Sequence, residues 1–162
     1  MVTALGLGAN LGDRLGSLRE AVRRVEAALR RKALARSDVF ETMPWGVEDQ
    51  PRFLNACVTV ETDMPPLELL AIVKGIEREM GRVPGRRWGE RIIDVDILLM
   101  GDRTIDEPGL RVPHAHLHER EFVLVPLSQI LPTWRHPLIG RDVRDMARGA
   151  ASADAPLRIA AL

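Results

Sequence analysis

The chain has 162 residues, 46% apolar and 28% charged, and its 23 basic residues are balanced by 23 acidic ones. This is the make-up of one globular domain with a full core, and the zero net charge argues against a nucleic-acid or membrane-surface protein, leaving room only for a local basic patch. Cys57 is the only cysteine, so no intrachain disulfide can form; with no signal peptide and no apolar run of membrane-spanning length, a reducing cytoplasm is the expected setting.

Residues Val2 to Gly8 read as a short buried strand, and Gly8-Ala9-Asn10-Leu11-Gly12-Asp13-Arg14 as a turn. Leu18, Val22, Val25 and Leu29 recur at helical spacing among arginines and glutamates, which predicts an amphipathic helix from about Leu15 to Arg31. A strand over Ala35 to Thr42 follows, then a loop rich in Pro, Gly and acids over Met43 to Arg52, and a second strand over Phe53 to Thr62. Pro65-Pro66 opens a second helix, since a missing N–H is tolerated in a first turn. Leu69, Val73, Ile76 and Met80 make its core stripe and Gly81 ends it. A Gly/Pro/Arg loop then leads to a strand beginning at Ile92.

The order β-α-β-β-α-β predicts a mixed α/β (α+β) fold of ferredoxin-like type, an antiparallel-rich sheet with helices packed on it. Beyond Gly101 the pattern weakens into a C-terminal extension. Phe122 to Leu131 fits either a short helix or an edge strand, and Asp142 to Arg148 a short helix. The expected division is a single domain over residues 1–149 and an Ala-rich, frayed tail over 150–162.

The strand after Ile92 carries the most informative pattern. Asp94 and Asp96 share one of its faces, with Cα atoms about 7 Å apart, while Ile93, Val95, Ile97 and Leu99 point to the core. Adjacent carboxylates on an apolar strand repel each other and lose solvation. A divalent cation relieves both penalties, and Mg²⁺ suits the pair because it accepts one or two carboxylates and leaves its other positions to water and phosphate. Arg86, Arg87 and Arg91 lie just upstream, where such phosphates would meet them. The plain alternative is a half-exposed strand with two solvated acids.

Other patterns are weaker alone. Gly6-x-Gly8-x-x-x-Gly12 has its third glycine one residue late for a dinucleotide fingerprint, and a tight turn holding Asn10 fits better; no Walker A sequence is present. His114, His116 and His118 would share a face on a strand, but Pro113 suggests a turn and no cysteine is near, so one histidine acting as a phosphate donor or acid is favoured over a zinc site. Leu70, Lys74, Glu77 and Gly81 form a second stripe on the second helix, for which a solvated face is the ordinary explanation. Phe53 and Asn55 share a strand face and would suit a planar heterocycle, a ring to stack on beside an amide that both donates and accepts.

Several blocks occur in order: Gly8-Ala9-Asn10-Leu11-Gly12, Thr42-Met43-Pro44-Trp45-Gly46, Gln50-Pro51-x-Phe53-Leu54-Asn55, and Glu77 through Gly81-Arg82. Arg87-Trp88-Gly89-x-Arg91 with Asp94-x-Asp96 comes next, then Val112-Pro113-His114 and Arg120-x-Phe122-x-Leu124-x-Pro126-Leu127. Together, from about residue 2 to residue 148, they resemble the 6-hydroxymethyl-7,8-dihydropterin pyrophosphokinases (2-amino-4-hydroxy-6-hydroxymethyldihydropteridine diphosphokinases) of folate biosynthesis.

That resemblance implies a ferredoxin-like fold and an Mg²⁺-dependent transfer of the pyrophosphoryl group of ATP to the pterin's hydroxymethyl oxygen, with release of AMP. Asp94 and Asp96 would hold two Mg²⁺ ions and, with Arg82 and Arg91, form the catalytic set. ATP would meet Leu70, Lys74, Glu77, Arg82, Trp88, Arg91, Ile97, His114 and Arg120, with Glu77 a partner for the ribose. The pterin would stack between Phe53 and Phe122, with Asn55 and the Thr42 backbone reading its edge, Pro44 and Trp45 closing over it, and Asp94 alongside. Loops Met43 to Pro51 and Arg82 to Glu90 are expected to move during the cycle.

The chain departs from the family pattern at Pro84, in place of a loop arginine, at Ala115, in place of a tyrosine, at Glu90, in place of a proline, and at Lys74, in place of a neutral residue. ATP and the pterin are the expected partners, with no nucleic acid and no membrane, and a monomer is the default. Two rivals use fewer of these residues. A regulatory binding module would hold a ligand without chemistry, and a two-metal phosphohydrolase would attack with water. Both leave Phe53, Asn55 and Phe122 unexplained.

Overall fold

The computed structural model describes residues 1–44, 46, 48–85 and 89–162. Six strands form one sheet: β1 (Val2–Ala9), β2 (Ala35–Arg36), β3 (Asp38–Thr42), β4 (Phe53–Glu61), β5 (Asp94–Met100) and β8 (Leu157–Ala161). Its order is β5-β1-β4-β3-β8, with β2 also paired to β4, and every pairing is antiparallel. A separate hairpin joins β6 (Ile105–Glu107) to β7 (Leu110–Val112). Among the described residues four α-helices complete the frame: α1 (Arg14–Leu29), α2 (Pro66–Glu79), α3 (Glu121–Ile130) and α4 (Val143–Gly149).

Strand alternation divides the core into two layers. Leu5 and Leu7 of β1, Val58 and Val60 of β4, and Val95 and Ile97 of β5 face Leu18, Val22 and Val25 of α1 and Leu69, Val73 and Ile76 of α2. The opposite face carries Ala4, Cys57 and Leu98, which pack against Leu124 and Leu127 of α3 and Val143 and Met146 of α4. The thiol of Cys57 is fully buried, and burial pushes its pKa far up, which fits a packing residue and not a nucleophile.

The helix boundaries have local causes. Asp13 accepts a hydrogen bond from the Gly16 N–H and caps α1, which closes on Arg30 in a left-handed conformation, a little before the expected Arg31. Pro66 stands in the first turn of α2, and Gly81, at φ +92°, turns the chain out of it.

Glu26 of α1 fastens the connection to β2. Its carboxylate accepts the Ala33 N–H at 2.9 Å, the Arg36 guanidinium at 2.7 Å and the Lys32 ammonium at 3.0 Å. The Ala33 N–H first, with Arg36 and Lys32, outweighs desolvation and lowers its pKa from 4.5 to about 2. A lowered carboxylate pKa stabilises the fold fully above the unfolded value, and that stability is lost as pH falls through the folded value. Glu26→Gln should therefore lower unfolding free energy by about 1–3 kcal/mol at pH 7. Its deficit against the parent should shrink between about pH 4.5 and about pH 2, as chemical denaturation at several pH values would show; a deficit independent of pH would contradict the assignment.

The structure differs from the sequence-based expectations in four places, and over Phe122 to Leu131 it selects one of two open alternatives. The strand expected over Ala35 to Thr42 breaks at Ser37, whose hydroxyl accepts the Cys57 N–H and donates to the Asp38 carbonyl, so β2 and β3 are separate. In β5 the register with β1 shifts between Ala4 and Leu5, which pair with Leu99 and Ile97. Leu99 therefore joins Leu98 in the α3/α4 layer instead of continuing the Ile93, Val95, Ile97 face. Phe122 to Leu131 resolves to the helical alternative, α3. The β6–β7 hairpin, turned by Pro108 and Gly109 (φ +81°), was not expected. The tail does not fray over its whole length: Leu157–Ala161 pairs with the exposed edge of β3, and Arg158 binds Asp38 through two nitrogens.

Candidate active site

The same alternation that builds the core aims a different set of side chains at the α3 side of the sheet. Thr42, Phe53, Asn55, Gly6, Gly8, Asp94 and Asp96 all line one cavity there. Pairing fixes their neighbours. Gly8 lies between Asn55 on β4 and Asp94 on β5, Gly6 lies between Cys57 and Asp96, and Thr42 is opposite Phe53. The two glycines make the floor. A Cβ on Gly8 would meet Asn55 Oδ1 at 3.0 Å, and one on Gly6 would press on Leu98 at 3.2 Å. Their service is clearance and not dinucleotide binding.

One end of the cavity is apolar with a hydrogen-bonding edge. Phe53, Phe122, Leu98 and Val123 line it, and the Asn55 amide donates to Thr42 Oγ1 at 2.6 Å. The other end is charged, lined by Lys74, Arg82, Arg91, Asp94, Asp96, His114 and Arg120. Two arginines bridge the ends, Arg91 over the Phe53 ring at 5.9 Å and Arg120 over the Phe122 ring at 5.7 Å.

The carboxylates are surrounded by cations. Arg82 binds Asp94 and Glu77 through one nitrogen, Arg91 binds the second Asp94 oxygen at 2.7 Å, and Lys74 Nζ lies 3.6 Å from Asp96 and 3.9 Å from Asp94. Burial drives Asp94 up, but Lys74, Arg82 and Arg91 together outweigh it and hold the carboxyl below its ordinary value. Asp96 goes the other way: burial and then the Asp94 charge raise it, against Lys74, His114 and Arg120. Burial lowers the pKa of His114 against the pull of Asp96. Arg120 is also shifted down by burial, opposed by both aspartates. Two oxygen ligands, one of them under-compensated, suit a hard divalent cation.

Glu77 is not a solvated helix residue. It is 3% exposed, and burial raises its pKa against Lys74. It accepts the Val95 N–H at 2.7 Å while Lys74 donates to the Val95 carbonyl at 3.2 Å. The pair thus completes the backbone bonding of β5, the strand at one end of the sheet. A second groove continues from the charged end past Lys74, Glu77, Arg78 and Arg82 to Pro84, Glu90 and Arg91. Leu70 packs against the α1/α2 core and Ile97 is buried within it, so neither lines the cavity. Pro44 is buried beside Met43, which does line it. Trp45, Arg86, Arg87 and Trp88 lie outside the described residues.

The histidine tract does not share a face. His114 enters the cavity, His116 meets Glu119 at 3.2 Å, and His118 stacks edge-on to His136. Among the described residues no group of three or more His, Cys, Asp or Glu converges on a metal position.

Asn10 was read from sequence only as a turn residue, yet it ties both loops to the end of β1. Its Nδ2 donates to Gln50 Oε1 and to the Pro51 carbonyl, each at 3.0 Å, and its Oδ1 accepts the Arg91 N–H at 2.9 Å.

Comparison with known proteins places the chain in a family. Residues 4–132 match the model of the 7,8-dihydro-6-hydroxymethylpterin-pyrophosphokinase family. The chain is 44% identical over 128 residues to the 2-amino-4-hydroxy-6-hydroxymethyldihydropteridine pyrophosphokinase of Methylorubrum extorquens, covering 79% of this chain and 81% of that one. It is 39% identical over 141 residues to the enzyme of the same name from Aquifex aeolicus, covering 87% of each. Among solved structures, the Plasmodium falciparum HPPK-DHPS with pteroate superposes with a TM-score of 0.73 at 18% identity, over 91% of this chain and 42% of that one, a likeness of fold. By the family model and these relatives, the chain belongs to the 7,8-dihydro-6-hydroxymethylpterin-pyrophosphokinase family.

Proposed function

We propose that the cavity takes its two substrates end to end, the pterin at the apolar end and the ATP phosphates at the charged end. The reaction is that of the family: the pyrophosphoryl group of ATP passes to the hydroxymethyl oxygen of 6-hydroxymethyl-7,8-dihydropterin, giving the pterin diphosphate and AMP in folate biosynthesis. One observation carries the placement. Gly8 separates Asn55 from Asp94 by a single strand on each side, so an edge-reading amide and a metal-type carboxylate open onto the same floor.

Phe53 and Phe122 would sandwich the ring, and Asn55 with the Thr42 backbone would select its hydrogen-bonding edge. Pro44 and Trp45 would close that end. Arg82, Arg91, His114 and Arg120 would hold the phosphates, with the two arginines nearest Asp94 stabilising charge in the transition state. The nucleoside would follow the groove past Lys74 and Glu77, with Trp88 beside it, while Leu70 and Ile97 would support it only from within the core. Asp94 and Asp96 would hold Mg²⁺, two ions in the full complex, which supplies charge neutralisation and alignment for in-line attack.

The strand order β5-β1-β4-β3 supports reading the frame as a split βαβ, ferredoxin-like core, with residues 1–149 as the catalytic domain and 150–162 as an appended strand. Among the described residues no helix is long and apolar enough to cross a membrane; action in the cytoplasm as a monomer fits the substrates and the charge balance.

Purified protein with ATP and Mg²⁺ should form AMP only when the pterin is added, together with a pterin product heavier by one pyrophosphate. AMP or ADP release without pterin would favour a phosphohydrolase, and tight binding of both ligands without AMP a silent relative.

A further inference from the structure

Lys74 has a position that neither stability nor nucleotide contact accounts for alone. Its ammonium is 2.8 Å from Glu77 Oε1, 3.6 Å from Asp96 Oδ1, 3.9 Å from Asp94 Oδ1 and 3.2 Å from the Val95 carbonyl. Three carboxylates thus face this one ammonium. Lys74 belongs to α2, whose Leu69, Val73 and Ile76 pack in the α1/α2 core layer, and its ammonium reaches the backbone of β5, the strand at one end of the sheet. It also belongs to both the cavity and the adjoining groove.

We propose that Lys74 is a resident counter-cation of the Asp94/Asp96 pair, which an entering divalent cation must displace toward the nucleotide groove. The inference rests on the reading above that these two aspartates hold the metal. In the free enzyme a divalent cation on both carboxylates would bring two further positive charges close to the ammonium, Arg82 and Arg91, with no phosphate present to offset the repulsion. Metal entry therefore requires the ammonium to swing along the groove, where the phosphates that accompany the metal offer it a new partner. Lys74 in this way makes metal binding by the free enzyme weak and links it to nucleotide arrival, which guards the aspartates against unproductive loading.

The test is Mn²⁺ binding to the nucleotide-free protein, followed by electron paramagnetic resonance or calorimetry, in the parent, Lys74→Met, Lys74→Gln, Lys74→Arg and Asp96→Asn. Loss of the charge in Lys74→Met and Lys74→Gln should tighten Mn²⁺ binding by about tenfold or more, and Lys74→Arg should stay near the parent. Lys74→Gln retains a group able to bond the Val95 carbonyl and Glu77. A purely structural role would leave it at the parent affinity and weaken Lys74→Met, which overturns the proposal, as would unchanged or weaker Mn²⁺ binding in both neutral variants. Asp96→Asn separates the two readings. If it abolishes Mn²⁺ binding while the Lys74 variants match the parent, only the counter-cation role fails; if it leaves Mn²⁺ binding intact, the placement of the metal fails first.

Discussion

Asp96→Ala should reduce turnover by about a thousandfold or more, since a ligand that shapes the charge around the transferring group acts on the transition state and not on ground-state binding. The side chain lies on the cavity wall, one-third exposed, and contributes to neither core layer. Its burial and the neighbouring Asp94 both disfavour its charged form, so removing it relieves repulsion and should leave the thermal midpoint unchanged or raised. Pterin affinity should stay within a few-fold of the parent, because Phe53, Asn55 and Phe122 lie at the other end. Initial rates of AMP formation, pterin titration and a melting curve on the same preparation check all three parts. Near-normal turnover in a folded variant would contradict the role given to this carboxylate.

Phe122→Ala has the second largest expected effect, and of the opposite kind. The ring sits in the first turn of α3, partly buried, with Arg120 against it, while Leu124 and Leu127 anchor the helix from its buried side. Truncation therefore removes a stacking surface without opening the core. Loss of one aromatic face from a planar ligand is worth about 1–3 kcal/mol, so pterin binding should weaken by roughly ten- to a hundredfold. Turnover at saturating pterin should fall much less, because Asp94, Asp96, Arg82 and Arg91 keep their partners and only Arg120 loses a contact. Calorimetric or fluorescence titration measures the first and steady-state rates the second; an unchanged pterin affinity would remove Phe122 from the stacking role.

Much of this was legible because strand alternation is a strong rule. The period of two in Phe53-x-Asn55 and Asp94-x-Asp96 put each pair on a single face, and the structure places both pairs on one cavity. The helix stripes of α1 and α2 were likewise readable from Leu18, Val22 and Val25 and from Leu69, Val73 and Ile76. What escaped depends on tertiary context. A bulge moved Leu99 to the other layer, and no local preference marks a one-residue shift against a neighbouring strand. The tail became a strand because β3 offered an open edge and Asp38 a partner for Arg158, both distant in sequence. Asn10 and Glu77 do work that sequence cannot show, since their partners, Gln50, Pro51, Arg91 and the Val95 backbone, come together only in the folded chain. Trp45 and Trp88, both singled out from sequence, lie outside the described residues.

Placement of the metal on Asp94 and Asp96, in a cavity shared with the pterin, is the proposal on which the catalytic roles given to the neighbouring cations depend. It is tested most directly by a crystal grown with Mn²⁺, a non-transferable α,β-methylene analogue of ATP and the pterin, read by anomalous scattering. Mn²⁺ peaks are expected about 2 Å from oxygens of both aspartates, with the pterin between Phe53 and Phe122 and the Lys74 ammonium moved away from Asp96 toward the nucleotide. Metal held by the phosphates alone, with Asp94 and Asp96 still paired to Arg82, Arg91 and Lys74, would contradict it.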